Sequence, residues 1–219
     1  MKIKLISLAL MSGVISGCGG GSSADENAAA CFNETLFKVG SRYSIVTKEG
    51  NNDAERSSFS VMETTQFRGQ QAIKVNDEIS GFNTYYSLDS SDKSYSILGV
   101  MDGDTEWYYT PGQQNKFDLN AGESFEQTYT KITVLPEQTA DVVFDSVNKF
   151  IGIETITVPA GTYKTCRFEA KNTVTLPSGL KQQVNLTAWY AVRYGIQVKY
   201  EVDGVADELI EATIDGMKI

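Results

Sequence analysis

Apolar and polar residues alternate along most of the chain from Leu36 onward, and this period of two restricts the fold more than any other feature. The bulky residues are largely aromatic or β-branched, as in residues 82–88, FNTYYSL, and such side chains favour strands. Clusters of Gly, Asn, Asp, Ser and Pro interrupt the alternation and predict turns, most of them in hairpins. The clusters lie at residues 49–52, 67–70, 89–92, 102–104, 110–112, 177–179 and 203–204.

This pattern predicts a mainly all-β fold, an antiparallel meander of about ten or more strands. Because so many strands do not fit a flat open sheet, we expect the sheet to curl into a half-barrel or a closed barrel. Residues 138–149 are the exception. There Val142, Val143 and Val147, followed by Phe150, have a spacing compatible with one short helix.

The first residues of the chain form a different kind of segment. Lys2 and Lys4 accompany an apolar run over residues 3–14, and small residues then lead to Cys18. That order is typical of a secretion signal. The run is too short to cross a bilayer, which takes about 20 apolar residues, and no later stretch of the sequence approaches that length.

Residues 15–18, Ile-Ser-Gly-Cys, resemble the bacterial lipobox. The resemblance implies cleavage before Cys18 and transfer of diacylglycerol to its thiol, whereas the alternative is an ordinary signal peptide with a cysteine by chance. Gly19 stands where Asp would resemble an inner-membrane retention signal, which favours the outer membrane. The following residues are rich in Gly, Ser and Ala and predict a flexible tether. The predicted divisions are a signal peptide (1–17), a lipid-anchored tether (18–30) and a single β domain (31–219).

Charge and composition exclude several functions. The formal net charge is −9, and loss of Lys2 and Lys4 with the signal makes it −11, which argues against nucleic-acid partners and against binding anionic lipid by charge. The chain contains no histidine, which excludes Ser-His-Asp and Cys-His catalysis in their usual forms and removes the commonest transition-metal ligand. We therefore expect no catalytic residues, no bound metal and no cofactor.

Cys31 and Cys166 remain once Cys18 is assigned to the lipid. An even pair in an exported protein suggests a disulfide. The alternative is that Cys166 is a small core residue, on one strand face with Phe168 and Ala170, while Cys31 lies at an exposed terminus.

The C-terminal part contains the two most distinctive sequence motifs, VPAGTY at residues 158–163 and WYAVRYGIQVK at residues 189–199. This layout resembles a set of uncharacterised bacterial secreted proteins and lipoproteins. The resemblance implies antiparallel strands joined by turns at these motifs. From their backbone preferences, we expect Pro159 to end one strand and Gly161 and Gly195 to supply positive φ at two corners. The resemblance also implies an architecture related to the curved sheets of periplasmic lipoprotein carriers, which enclose an apolar cavity.

One group of acidic and aromatic side chains could form a binding or catalytic site. Asp102, Asp104 and Glu106 precede Trp107, and paired carboxylates beside an aromatic residue could bind calcium or flank a sugar. The alternative is a solvated hairpin tip followed by a strand.

The sequence therefore favours a non-enzymatic outer-membrane lipoprotein, attached to the membrane through its lipid, which binds an apolar ligand or a partner protein of the envelope. Two alternatives remain open: a carboxylate-dependent glycan hydrolase that uses the acidic cluster, and a passive structural component of the envelope.

Overall fold

Each strand of the domain pairs with the next one along the chain, always antiparallel. The structure is a computed structural model and describes residues 27–135 and 138–219. The strands are β1 (Arg42–Glu49), β2 (Glu55–Phe67), β3 (Gln70–Asp77), β4 (Asn83–Asp89), β5 (Ser94–Asp102), β6 (Thr105–Lys116), β7 (Ser124–Leu135), β8 (Gln138–Val158), β9 (Gly161–Thr175), β10 (Lys181–Ala191), β11 (Gln197–Val202), β12 (Val205–Ile214) and β13 (Met217–Lys218).

Pairing between β12 and β1 closes the sheet into a barrel. The register runs from Tyr43 opposite Ile214 to Glu49 opposite Asp207, and the short β13 adds to the far side of β12. The prediction of an all-β meander that curls on itself is confirmed, and the barrel is closed, with twelve strands. Between Asn27 and β1 the chain forms two 3₁₀ turns, Ala28–Cys31 and Glu34–Phe37. Within the described residues, no helix has the length and apolarity needed to cross a membrane.

The short helix predicted over residues 138–149 is wrong, because these residues belong to β8. Ser146 and Phe150 are buried, whereas Asp145, Val147 and Lys149 are exposed, so the residues alternate between two faces. Val142, Val143 and Val147 are β-branched and favour a strand, and this preference outweighs their helix-like spacing.

The turn predicted at residues 110–112 is also wrong. Thr110, Pro111 and Gly112 lie inside β6, where the pairing with β5 jumps from Gly99 opposite Tyr108 to Ile97 opposite Gln113. The Pro–Gly sequence therefore forms a wide bulge in a continuing strand, one of the few places where a strand accepts these residues. The other six clusters coincide with turns between consecutive strands.

The chain before β1 closes one end of the barrel. The amide of Ala28 donates to the carbonyl of Leu119 at 2.9 Å, and the amide of Arg193 donates to the carbonyl of Ala30 at 2.8 Å. We call residues 27–37 the plug, because they cross between the β6–β7 and β10–β11 connections. Ala28 is fully buried. Residues 27–30, assigned to the tether from their composition, are packed against the barrel.

A disulfide between Cys31 and Cys166 fastens the plug to β9, with 6.2 Å between the two Cα atoms. The predicted pairing is confirmed. Both residues are fully buried, so the alternative that placed Cys31 at an exposed terminus is wrong. Around the disulfide lies an apolar cluster formed by the plug and the ends of several strands. Its buried members are Ala28, Cys31, Phe117, Leu119, Phe150 and Cys166.

The C-terminal corners have the backbone that the sequence predicts. β8 ends at Val158, directly before Pro159, and Gly161 has a φ of 147° at the start of β9. Gly195 has a φ of 68°, and a Cβ built on it would lie 2.8 Å from the Cβ of Asn33. Gly195 is therefore needed twice, for its positive φ and for the close approach of the plug.

Loss of the disulfide should destabilise the domain. Replacing both Cys31 and Cys166 with Ala should lower the free energy of unfolding by about 2–5 kcal/mol, because the unfolded chain would regain the freedom of a loop that spans 135 residues. Urea unfolding of the oxidised wild type, the reduced wild type and the double Ala variant measures this. Equal midpoints for the oxidised and reduced wild type would contradict the prediction.

Candidate functional site in the barrel interior

A cavity of about 300 Å³ lies inside the barrel, surrounded by the seven consecutive strands β5 to β11. Most of these strands contribute residues two positions apart, such as Ser146 and Asn148 on β8 or Ala170 and Asn172 on β9, as expected for the inner face of a sheet. The lining residues are Tyr95, Ile97, Gln113, Gln114, Asn115, Gln127, Tyr129, Ser146, Asn148, Ala170, Asn172, Leu186, Ala188, Tyr190, Gln197 and Tyr200.

The lining is polar but carries no charge. Seven of its residues are Asn or Gln, four are Tyr and one is Ser, and none is Asp, Glu, Lys or Arg. A core filled only for stability would hold mainly aliphatic and aromatic residues, because a buried amide needs hydrogen-bond partners. The interior therefore differs from an ordinary barrel core.

Strand register brings part of this polar lining together. Gln127 stands opposite Ser146, and Ser146 stands opposite Asn172 on the next strand. The side-chain nitrogen of Asn148 donates to the hydroxyl of Ser146 at 3.0 Å. The Oδ1 atom of Asn172 is buried and accepts no hydrogen bond within the described part of the chain. An orphaned buried acceptor of this kind is rare in a native fold and needs an explanation.

Gln127 has a structural task in addition. Its Oε1 accepts from the backbone amide of Gln114 at 2.9 Å, and its Nε2 donates to the carbonyl of Gln114 at 2.8 Å. The backbone ladder between β6 and β7 stops at Thr110 opposite Thr130, just before the bulge in β6. The Gln127 side chain thus continues the pairing of β6 and β7 where their backbones separate.

Toward the plug the cavity meets an apolar floor. A smaller space of about 60 Å³, lined partly by the same residues, reaches Phe117, Phe125 and Phe168. The ring of Phe117 lies 5.4 Å from that of Phe168 and 5.3 Å from that of Tyr190, both nearly edge to face. Asn172 follows Phe168 along β9 away from the plug, whereas Gln197 stands opposite Tyr190 beside the apolar floor, so amides line the cavity both near the plug and farther from it.

The interior tyrosines are held in the neutral form. Burial raises the pKa of Tyr190 to about 12 and the pKa of Tyr86, whose ring contacts Tyr95, also to about 12. Burial also raises the pKa of Tyr95 well above its ordinary value, with repulsion from a Tyr190 phenolate as a smaller cause. These hydroxyls are therefore hydrogen-bonding groups without charge at neutral pH.

The structure places the acidic cluster elsewhere. Asp102 ends β5 and Asp104 lies in the following turn, and both are exposed. The β5–β6 turn lies at the barrel end opposite the plug, because the chain reverses direction at every strand. Glu106 forms two hydrogen bonds with Arg68, at 2.7 and 2.9 Å, and the Arg68 guanidinium stacks 3.5 Å from the Tyr108 ring centre.

Trp107 does not join the carboxylates in a cleft. Its ring contacts Phe82 edge to face at 5.9 Å, and the Lys131 ammonium lies 5.4 Å from it. Within the described ranges, no group of three or more acidic or cysteine side chains could hold a metal ion. The cluster is a hairpin tip followed by a strand, and an acid–base pair on a bound glycan has no support in this geometry.

Other cavities are surface depressions. One of about 420 Å³ lies between the β1–β2 and β11–β12 turns, and one of about 400 Å³ lies over β7, β8 and β9, both lined largely by exposed residues. Cys18, the predicted lipid attachment site, lies outside the described residues. The sequence analysis did not identify the cavity amides. Asn172 shares a strand face with Phe168 and Ala170 in the sequence pattern, whereas Asn148 fell within the wrongly predicted helix.

Strong alkali should destabilise the domain through its interior tyrosines. Since Tyr86 and Tyr190 have a folded pKa of about 12 and an ordinary value of 10, their stabilisation is complete below pH 10 and is lost as the pH rises to 12. Complete deprotonation of each of these two tyrosines should lower the free energy of unfolding by roughly 2–3 kcal/mol. Urea unfolding across this range measures the loss, and the Tyr86→Phe/Tyr190→Phe variant should show a smaller one. Identical alkaline losses in both proteins would refute this.

Comparisons with known proteins bear on the fold. No family model matches the chain, and no curated protein matches it either. A protein described as exported, with a YmcC-like fold, from Bacteroides fragilis superposes with a TM-score of 0.52 at 12% identity, over 80% of this chain and 96% of that chain.

Two further solved structures give lower scores. The hypothetical lipoprotein YmcC from Escherichia coli has a TM-score of 0.45 at 12% identity, over 80% of this chain and 86% of that one. A protein described as a lipoprotein from Parabacteroides distasonis has a TM-score of 0.46 at 13% identity, over 81% of this chain and 96% of that one. At such identities the likeness to the Bacteroides fragilis protein concerns architecture alone, and the chain has a YmcC-like fold.

Proposed function

We propose that this chain is a lipid-anchored protein of the bacterial outer membrane whose barrel binds a small ligand in its interior without transforming it. The cavity of about 300 Å³ carries this proposal, because it combines an apolar floor with a polar lining in which the Oδ1 atom of Asn172 lacks a partner among the described residues. Binding sites typically have this form, a concave space with convergent polar groups.

The polar lining modifies the ligand expected from the sequence. A wholly apolar ligand would fill the space but leave the buried Oδ1 atom of Asn172 without a hydrogen bond, at a cost of about 1–3 kcal/mol. The apolar floor at Phe117 and Phe168 can contact only the apolar part of a ligand. We therefore propose a ligand that carries hydrogen-bonding groups as well as apolar surface.

The anchor gives the barrel an orientation. Lipid on Cys18 would lie nine residues before Asn27, where the plug begins, and a fully extended segment of that length spans roughly 30 Å. The plugged end would thus stay close to the membrane surface. Asn172 and the Asp102–Asp104 turn would then lie on the membrane-distal side.

The lipid anchor can be tested directly. In cells fed a radiolabelled fatty acid, the wild type should carry label and sediment with outer membranes, because several acyl chains bind a bilayer firmly. Cys18→Ala should lose the label, and Ser16→Ala, which keeps a small residue beside the attachment site, should retain it. Label on the Cys18→Ala protein would overturn the assignment.

Ligand binding can be tested by native mass spectrometry of protein purified from its own envelope. We expect a bound species in the wild type and its loss in Ala170→Leu, which fills the cavity. The matched control is Thr173→Leu, on the outer face of the same strand, which should keep the bound species. If the wild type carries nothing and binds no small probe, the domain is a passive envelope component.

A further inference from the structure

We propose that the cavity binds a neutral saccharide of one or two sugar rings, either free or as the end of a longer glycan. The inference rests on the proposed function and adds the chemical class of the ligand. It is carried by three properties of the lining: absent charge, dense amides and several aromatic faces.

The absence of charge in the lining limits the ligand to neutral molecules. None of the sixteen lining residues is ionisable near neutral pH, and the tyrosines keep their protons. Lys116, which borders only the smaller adjoining space, is paired with Asp92 at 2.9 Å. An anionic or cationic ligand would lose its hydration without gaining a counter-charge, which costs several kcal/mol. The ligand is therefore neutral.

The many amides of the lining favour a ligand that has several hydroxyl groups. Each Asn or Gln side chain both donates and accepts hydrogen bonds, and each sugar hydroxyl does the same, so the two match group by group. Ser146 and Asn172 stand opposite each other on adjacent strands, and Gln127, whose amide bonds the backbone of Gln114, stands opposite Ser146 on the next strand. The orphaned Oδ1 of Asn172 needs a donor, and a sugar hydroxyl supplies one.

Aromatic faces and size complete the assignment. Tyr95, Tyr129, Tyr190 and Tyr200 line the cavity, and the C–H groups of a sugar ring pack on aromatic surface. A volume of about 300 Å³ equals the share of about ten water molecules in the liquid. That space admits one or two sugar rings and excludes a diacyl lipid.

Substitution of Asn172 allows a loss of ligand binding to be distinguished from a loss of stability. If its amide served only the fold, Asn172→Leu, which keeps the side-chain size, would lower the unfolding midpoint. Because Oδ1 has no protein partner, replacing the amide with an apolar group should leave the midpoint equal or raise it. Asn185→Leu is the matched control, since Asn185 lies exposed on neighbouring β10 and does not line the cavity.

The test uses the full chain in a polyoxyethylene detergent, which contains no sugar. Titration calorimetry and saturation-transfer NMR would measure binding of neutral mono- and disaccharides, longer neutral oligosaccharides, the corresponding uronic acids and a fatty acid. We expect a neutral sugar to bind the wild type and Asn185→Leu alike. Asn172→Leu should weaken that binding at least tenfold while its unfolding midpoint is kept.

The outcomes distinguish the two proposals. Stronger binding of a longer oligosaccharide than of its disaccharide would identify a chain end as the ligand, whereas equal binding would identify a free sugar, and either result supports the inference. Binding of the uronic acids or the fatty acid in preference to neutral sugars, lost in Ala170→Leu, would overturn the saccharide and keep the binding function. Equal sugar affinity in Asn172→Leu and the wild type would also overturn the saccharide site. No binding of any probe would overturn both proposals.

Discussion

The pairing of β12 with β1 is the interaction on which most of the structure depends. It closes twelve strands into one ring and thereby fixes the width of the interior. Side chains just fill a barrel of about eight strands, and barrels of sixteen or more leave an open channel. Twelve strands lie between these limits, so the interior is too wide for strand side chains to fill alone.

Two devices reduce this excess space. Large aromatic residues fill part of it, with Phe117 in contact with Phe32, Tyr95, Phe168 and Tyr190. The plug closes one end and is fixed by the Cys31–Cys166 disulfide and by backbone hydrogen bonds to two connections between strands. A space of about 300 Å³ stays unfilled, and amides line it. The cavity is thus a consequence of the strand number together with the choice of small and polar residues at inner positions.

The sequence predicted local structure well and the enclosed space poorly. Alternation identified the strands, and Pro159, Gly161 and Gly195 marked real corners, because these features depend on backbone sterics close by in the chain. The helix over residues 138–149 and the turn at residues 110–112 were wrong, since strand pairing on both sides decided the conformation there. Asn148 and Asn172 were missed, because alternation shows which residues share a face but not whether that face is filled.

An interior with these groups can recognise a ligand but offers little for acid–base catalysis. General acid–base chemistry needs a side chain whose pKa lies near the working pH. The cavity supplies amides, which do not titrate, and tyrosines such as Tyr190, whose pKa is raised to about 12 by burial. The carboxylates of Asp102 and Asp104 are exposed on a turn at the far end of β5, away from the lining residues. The proposed binding of a neutral molecule therefore rests on the same choice of neutral polar residues that keeps the wide interior uncharged.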